Sequence, residues 1–185
     1  MDTETRMPAA FLGHGSPMNA IEDNEFRRSW QALGAEFGKS LPRPQLILCI
    51  SAHWLTRGWH LTGMAQPKTI HDFGGFPRAL FEVEYPAPGD PELAARVREL
   101  LRPVEVVPDE GWGLDHGTWS VLCHVYPDAD VPVIQLGIDE SKRRPRWCRR
   151  TPGVWSAWTW TRRACTSSPT AAAEWCSRSA ASSAT

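Results

Sequence analysis

Pro44-Gln45-Leu46-Ile47-Leu48-Cys49-Ile50 runs straight into Ser51-Ala52-His53. An apolar run of this length, entered through a proline-containing segment and left through small residues, reads as a buried strand. Such a strand needs cover on its faces, and the segments around it alternate between strand-like and helix-like patterns. That alternation predicts an α/β sheet with helices packed on its faces. The run delivers His53 just past the strand's end, where sheets of this kind open their ligand crevice.

Upstream, Pro8-Ala9-Ala10-Phe11-Leu12 precedes Gly13 and reads as a first buried strand with His14 at its C-terminal end. Asp23 is the expected N-cap of a helix to about Phe37, with Phe26, Trp30, Leu33 and Phe37 on one face and Gly38 ending it. Downstream, residues 59–62 read as a weaker strand. Residues 66–89 are rich in Pro and Gly and carry Phe73, Phe76, Phe81 and Tyr85. They are expected to form an ordered loop over the sheet edge, a place where function collects. Asp90-Pro91-Glu92 opens a helix with proline at its favoured first position; Leu93, Val97, Leu100 and Leu101 form its apolar stripe. Residues 104–107 read as a strand, 118–126 as a short helix beginning just after His116, and 131–136 as a further strand. There is no internal repeat.

With 185 residues the chain has room for one sizeable core, and 42% hydrophobic with 22% charged residues is ordinary for a globular protein. No apolar run reaches the length of about 18 residues that a membrane helix needs, and residues 1–6 carry no secretory signal. Five cysteines without Cys-x-x-Cys spacing predict a reducing, cytoplasmic setting, with Cys49 as a buried free thiol. The net charge of −1 divides unevenly: residues 143–185 hold eight Arg and one Glu, which leaves the body at −8. An acidic body argues against a nucleic-acid partner. The stretch from 143 lacks Leu, Ile, Met, Phe, Asp and Lys but holds five of the ten Trp and three of the five Cys. No helical or strand period orders it, so an irregular or disordered tail is expected beyond an α/β domain over 1–142. Its composition fits GC-rich DNA translated in a shifted frame.

Six histidines carry the candidate chemistry. His14 and His53 follow apolar runs, and His116 sits in Gly113-Leu114-Asp115-His116-Gly117-Thr118-Trp119. Neutral imidazole ligates zinc and ferrous iron, and two histidines plus a carboxylate, with open positions, suit an iron that handles oxygen. Asp115 either orients the His116 ring or caps the following helix. His71 lies in the aromatic loop, where substrate contact is one reading and plain exposure the other. His60 and His124 read as structural. Ser16 as a hydrolytic nucleophile lacks the strand-turn-helix setting of that chemistry, and no phosphate-loop or dinucleotide fingerprint is present.

Taken together, Gly13-His14-Gly15-Ser16-Pro17-Met18, Ser51-Ala52-His53-Trp54, Asp72-Phe73-Gly74-Gly75-Phe76-Pro77, Tyr85-Pro86-Ala87-Pro88-Gly89, Leu114-Asp115-His116-Gly117-Thr118-Trp119 and the run from Tyr126 to Leu136 resemble the extradiol aromatic-ring-opening dioxygenases of the DOPA dioxygenase type, in the class III superfamily. The resemblance spans about residues 7–142. It implies a three-layer sandwich with a central mixed sheet, incomplete at the C-terminus. It implies a metal, Fe(II) for activity with Zn(II) as the alternative, held by His14 and His53. His116 would face the substrate as an acid-base or oxygen-handling group. His71, Phe73, Phe76 and Asp115 would line the site for a planar catechol, which is opened with O2. In the family a Gly-rich strand with a His-Asn pair, and a further histidine near the C-terminus, follow the last strand read here; this chain has no histidine after His124. His71 stands where tyrosine is more usual. The expectation is therefore a family member by descent, with ring opening dependent on ligands from that later part. The alternatives are a non-catalytic metal-binding remnant and a zinc-dependent hydrolase.

Overall fold

The computed structural model describes residues 7–142; the tail expected over 143–185 lies outside the described residues. A 3-10 turn over Pro17–Ala20 leads to helix α1, Glu25–Ser40. Strands β1, Ile47–Thr56, and β2, Trp59–Thr62, follow, then the short helix α2, Arg78–Phe81, and helix α3, Pro91–Leu100. Strand β3, Val106–Asp109, helix α4, His116–Val125, and strand β4, Val133–Asp139, complete the order.

The four strands form one mixed sheet in the order β1-β4-β2-β3. β1 pairs with β4 and β2 with β3 in parallel, while β2 meets β4 antiparallel through Leu61 and Leu136. Strand alternation sorts the side chains onto two faces. Ile47, Cys49 and Val133 pack with Trp119 and Leu122 of α4. α1 lies behind α4, joining Trp30 to Val121 and Val125. On the other face Ile134, Leu136, Leu61 and Val106 pack under Ala94, Val97 and Leu101 around α3. The result is the three-layer α/β sandwich expected. α3 does not reach β1, so Leu48 and Ile50 on that outer face stay exposed, Ile50 at 59%.

Several boundaries move for physical reasons. Residues 8–12 form no strand: none of the sheet's ladders includes them, and Phe11 is 85% exposed. An apolar run becomes a strand only where a neighbouring ladder satisfies its backbone. α1 is capped by Asn24 rather than Asp23, its side chain accepting from the Arg27 amide at 3.1 Å. The helix also passes through Gly38 to Ser40. β1 continues past Ile50, so His53 lies inside the strand, in the stretch between Ile50 and Leu55 where its pairing with β4 shifts register. β3 and β4 each begin two residues later than expected. α4 begins at His116 with Asp115 as its N-cap. α3 starts at Pro91 under an Asp90 cap as read, but Leu100 is 75% exposed and leaves the apolar stripe to Ala94, Val97 and Leu101.

The seam between α1 and α4 depends on glycine. A Cβ at Gly34 would overlap the Val125 backbone carbonyl, whereas one at Gly38, a turn later, would meet nothing. Alanine normally stabilises a helix interior over glycine by about 0.5–1 kcal/mol. The two substitutions should therefore have opposite signs in denaturant unfolding: Gly38→Ala gains roughly that amount, and Gly34→Ala loses about 1–3 kcal/mol through overpacking. Equal effects at the two positions would contradict the close approach.

Candidate metal centre

Three distant segments bring one histidine each to the same point. His14 follows the extended N-terminal stretch and is held by the next turn, where Asn19 Nδ2 donates to the His14 carbonyl at 2.9 Å. His53 projects from the irregular part of β1, its amide donating to Ser51 Oγ at 3.2 Å. His116 is the first residue of α4. One nitrogen from each ring lies within 4.8 Å of the others. The Nε2 atoms of His14 and His53 are 2.8 Å apart, so the two can share only one hydrogen between them. Ring centroids of His53 and His116 are 4.0 Å apart, and those of His14 and His116 are 5.0 Å apart.

Burial, with the neighbouring His116 and His53, pulls the His14 pKa down to about 4. Burial and His116 lower His53 as well. Two of the rings are thus held neutral with lone pairs available, the form in which imidazole binds a metal. The Nδ1 of His14 is buried without a hydrogen-bond partner. Three imidazole nitrogens gathered within 4.8 Å fit a site shaped for a cation, and nitrogen donors of this type suit zinc or iron.

The chain path explains the meeting. Residues 68–70 of the aromatic loop run beside Leu114, which donates to the Lys68 carbonyl at 2.9 Å and accepts from Ile70 at 2.8 Å. A Cβ at Gly113 would overlap the Lys68 carbonyl, so that approach requires glycine. This contact carries Asp72 to the start of α4. There Asp72 Oδ1 accepts from the His116 ring Nδ1 at 2.8 Å and from the His116 amide at 3.0 Å. Its Oδ2 lies 3.9 Å from His53 Nδ1. Burial pushes the Asp72 carboxyl up, but the bonds from His116 outweigh it and hold the group below the usual carboxylate range.

The expected site residues divide. His14, His53 and His116 converge. Phe73 stands edge-on to His116 with centroids 5.5 Å apart, and Phe76 packs edge-on to Phe73 at 5.3 Å. His71 lies one ring further back, 5.5 Å from Trp119, with its Nε2 against the Val83 carbonyl at 3.0 Å. Asp115 departs from its expected place beside a substrate. It is 0% exposed and surrounded by donors: Ser51 Oγ at 2.8 Å, the Thr118 amide at 3.2 Å and the Gln135 side-chain amide. A carboxylate closed in this way has no face left for a ligand, and of its two sequence readings the helix cap is the one observed. His124 is a core histidine, its Nε2 against the Asn19 carbonyl and its ring stacked on Trp30. His60 pairs with Asp109 at 3.4 Å. Ser16 caps the 3-10 turn by accepting from the Met18 amide. Cys49 and Cys123 are free and only half-buried; burial raises both thiols to about 11.

Asp72 is the residue that sequence reading missed, although its motif was in view. Its neighbours His71 and Phe73 drew the substrate assignments. Its tie to His116 depends on the pairing of residues 68–70 with Leu114, which no local pattern announces.

Comparison with known proteins places these features. The family model described as the catalytic LigB subunit of aromatic ring-opening dioxygenase matches residues 8–150. The chain is 61% identical over 141 residues to an Escherichia coli K12 protein named 4,5-DOPA dioxygenase extradiol, covering 76% of this chain and 51% of that one. It is 43% identical over 135 residues to the protein of the same name from Beta vulgaris, covering 69% and 48%. A crystal structure of an uncharacterized E. coli K12 protein superposes with a TM-score of 0.58 at 53% identity, covering 74% of this chain and 49% of that one. The chain spans about half the length of the curated relatives it matches. With the three-histidine knot, the aromatic loop and the mixed sheet all falling inside the matched region, the chain belongs to the family of the catalytic LigB subunit of aromatic ring-opening dioxygenases.

Proposed function

We propose that this chain carries the metal-binding face of an extradiol dioxygenase that opens a catechol-type aromatic ring with O2. The convergence of His14, His53 and His116 within 4.8 Å carries the reading, and the two relatives named for 4,5-DOPA dioxygenase support it. His14 and His53 would hold the metal, Fe(II) for ring opening and Zn(II) as the alternative occupant. Fe(II) held there would supply a redox-active Lewis acid for a catechol and O2. The chain's own residues do the rest. Burial keeps His14 and His53 neutral. Phe73 and Phe76 form an edge-on apolar wall beside His116 against which a planar ring can lie, with His71 behind Phe73. The free thiols fit a cytoplasmic setting, and no helix among the described residues is long and apolar enough to cross a membrane.

The test is oxygen consumption by the anaerobically Fe(II)-loaded chain on addition of DOPA or protocatechuate. The expected result is about one O2 per ring opened, with a yellow product. His53→Ala should lose both metal and turnover. Stoichiometric iron with no uptake above the substrate-free rate would sink the dioxygenase reading for this chain.

Gly117 sets the spacing behind the histidines: a Cβ there would sit 2.8 Å from His53 Cδ2 and 2.9 Å from Ser51 Oγ. Gly117→Ala should push the His53 ring aside and lower metal content in a dialysed sample, with circular dichroism unchanged. Retention of full metal content would show that the ring has room to move.

The metal-free chain should also respond to acid in a defined window. The His14 pKa falls from 6.5 in the unfolded chain to about 4 in the fold. As pH drops, the unfolded chain takes up this proton first. The contribution to stability is therefore complete above about 6.5, declines towards 4 and is constant below that. Urea midpoints of chelator-treated protein across this range should fall with pH, and His14→Gln should flatten the slope. An identical slope in the variant would remove His14 from the account.

A further inference from the structure

We propose that Asn19 is a positioning residue that latches His14 into the site, and that the N-terminal cap of α1 sets the polarity of the latch. The role rests on reading the histidine knot as a binding site; the latch itself can be tested on the metal-free chain.

The limb that carries His14 needs such a hold. Among the described residues no backbone-to-backbone hydrogen bond includes any of residues 7–15, and no ladder takes them up. The bond from Asn19 Nδ2 to the His14 carbonyl, at 2.9 Å, fastens the limb at the histidine itself. The local chain path is built for that approach. Gly15 sits at φ +63°, where a side chain is strained, and a Cβ there would lie 3.0 Å from Asn19 Nδ2. Asn19 is in turn held from other directions. It is 5% exposed, its backbone amide donates to the Ser16 carbonyl at 3.0 Å, and its carbonyl faces His124 Nε2 of α4 at 3.2 Å.

An asparagine can present either end of its side-chain amide, so something must choose. α1 makes the choice. Asn24 caps that helix, which commits its Oδ1 to the Arg27 amide at 3.1 Å and leaves its Nδ2 as a donor. This Nδ2 donates to Asn19 Oδ1 at 2.8 Å. Asn19 must then turn its own Nδ2 the other way, where the His14 carbonyl accepts. Reversing either amide would set oxygen against oxygen and leave part-buried polar groups unpaired. The start of α1 thus reaches His14 through a chain of bonds that all run in one direction.

The experiment is NMR of the histidine ring signals in the metal-free full chain, with His14 assigned by its loss in His14→Gln. The rings of His53 and His116, with centroids 4.8 and 5.0 Å from that of His14, should displace its signals from free-histidine positions. Asn19→Leu removes the donor at similar volume. Asn24→Asp keeps an oxygen cap for α1 but removes the donor to Asn19, so that Asn19 turns its Nδ2 towards position 24 and its oxygen towards the His14 carbonyl. Both variants should move the His14 signals towards free-histidine positions while those of the distant His60 stay in place. Both should also weaken Co(II) binding by about 10- to 100-fold, with the urea midpoint of metal-free Asn24→Asp near that of the wild type. Asn24→Asp serves alone if Asn19→Leu does not fold, as judged by circular dichroism. Unmoved His14 signals in the folded variants would overturn the proposal. Signals moved in Asn19→Leu but not in Asn24→Asp would overturn the part assigned to α1. Moved signals with Co(II) affinity unchanged would overturn the positioning role. Failure of the wild-type chain to bind Co(II) would count against the metal-centre reading alone, because the ring signals are recorded without metal.

Discussion

A carboxylate with no exposure to solvent holds this structure in register. Asp115 caps α4 by accepting from Thr118, and it also accepts from Ser51 on β1 and Gln135 on β4. Gln135 Oε1 in turn accepts from Thr118 Oγ1 at 2.8 Å, and the Gln135 backbone amide donates to Thr62 Oγ1 on β2 at 2.8 Å. Three strands and one helix are thus fastened by one buried polar network. A buried charge is tolerable only when donors surround it, so each partner is fixed by the penalty of leaving Asp115 unsatisfied. His53 follows Ser51 by two residues and His116 follows Asp115 directly. The network therefore sets the positions of two of the three rings without touching any ligand.

The site is layered outward from that anchor. Behind the histidines lie the network and Gly117, which leaves room for the His53 ring. Beside them lies Asp72, delivered by the backbone pairing of residues 68–70 with Leu114. In front stand Phe73 and Phe76. The aromatic loop is fastened to α4 twice more: Trp119 Nε1 donates to the Ile70 carbonyl at 2.8 Å, and Tyr85 donates to the Tyr126 carbonyl at 3.0 Å. A loop so tied can present rings as rigidly as a helix would, which explains how a segment with little regular structure can form a wall of the site.

The histidines were legible in the sequence because each carries a local signal: small or glycine neighbours, and for His14 and His53 a preceding apolar run. The sheet was legible for a similar reason, since residues 44–50 and 131–136 are apolar with little interruption. What the sequence concealed depends on partners distant in the chain. Pro8-Ala9-Ala10-Phe11-Leu12 has strand-like composition, yet no ladder takes it up. The resemblance implied Asp115 as a substrate-lining acid, but the first turn of α4 sends its side chain into the protein. Asp72 carried no period or spacing that would link it to a residue 44 positions away. Local pattern identifies elements and candidate chemistry; which polar group meets which is decided by the crossing of segments.

The three rings also have a meaning for the chain as a polymer. His14 and His53 are 39 residues apart, and a longer loop separates His53 from His116. Drawing three such points together costs loop-closure entropy that rises only slowly with length. Whatever bridges the rings acts as a cross-link between otherwise independent stretches of backbone, and binding to the folded form alone shifts the folding equilibrium in its favour. The extended residues before His14 have no ladder to hold them, so that bridge would be their firmest tether to the sheet. Site occupancy and the integrity of the N-terminal edge would then rise and fall together.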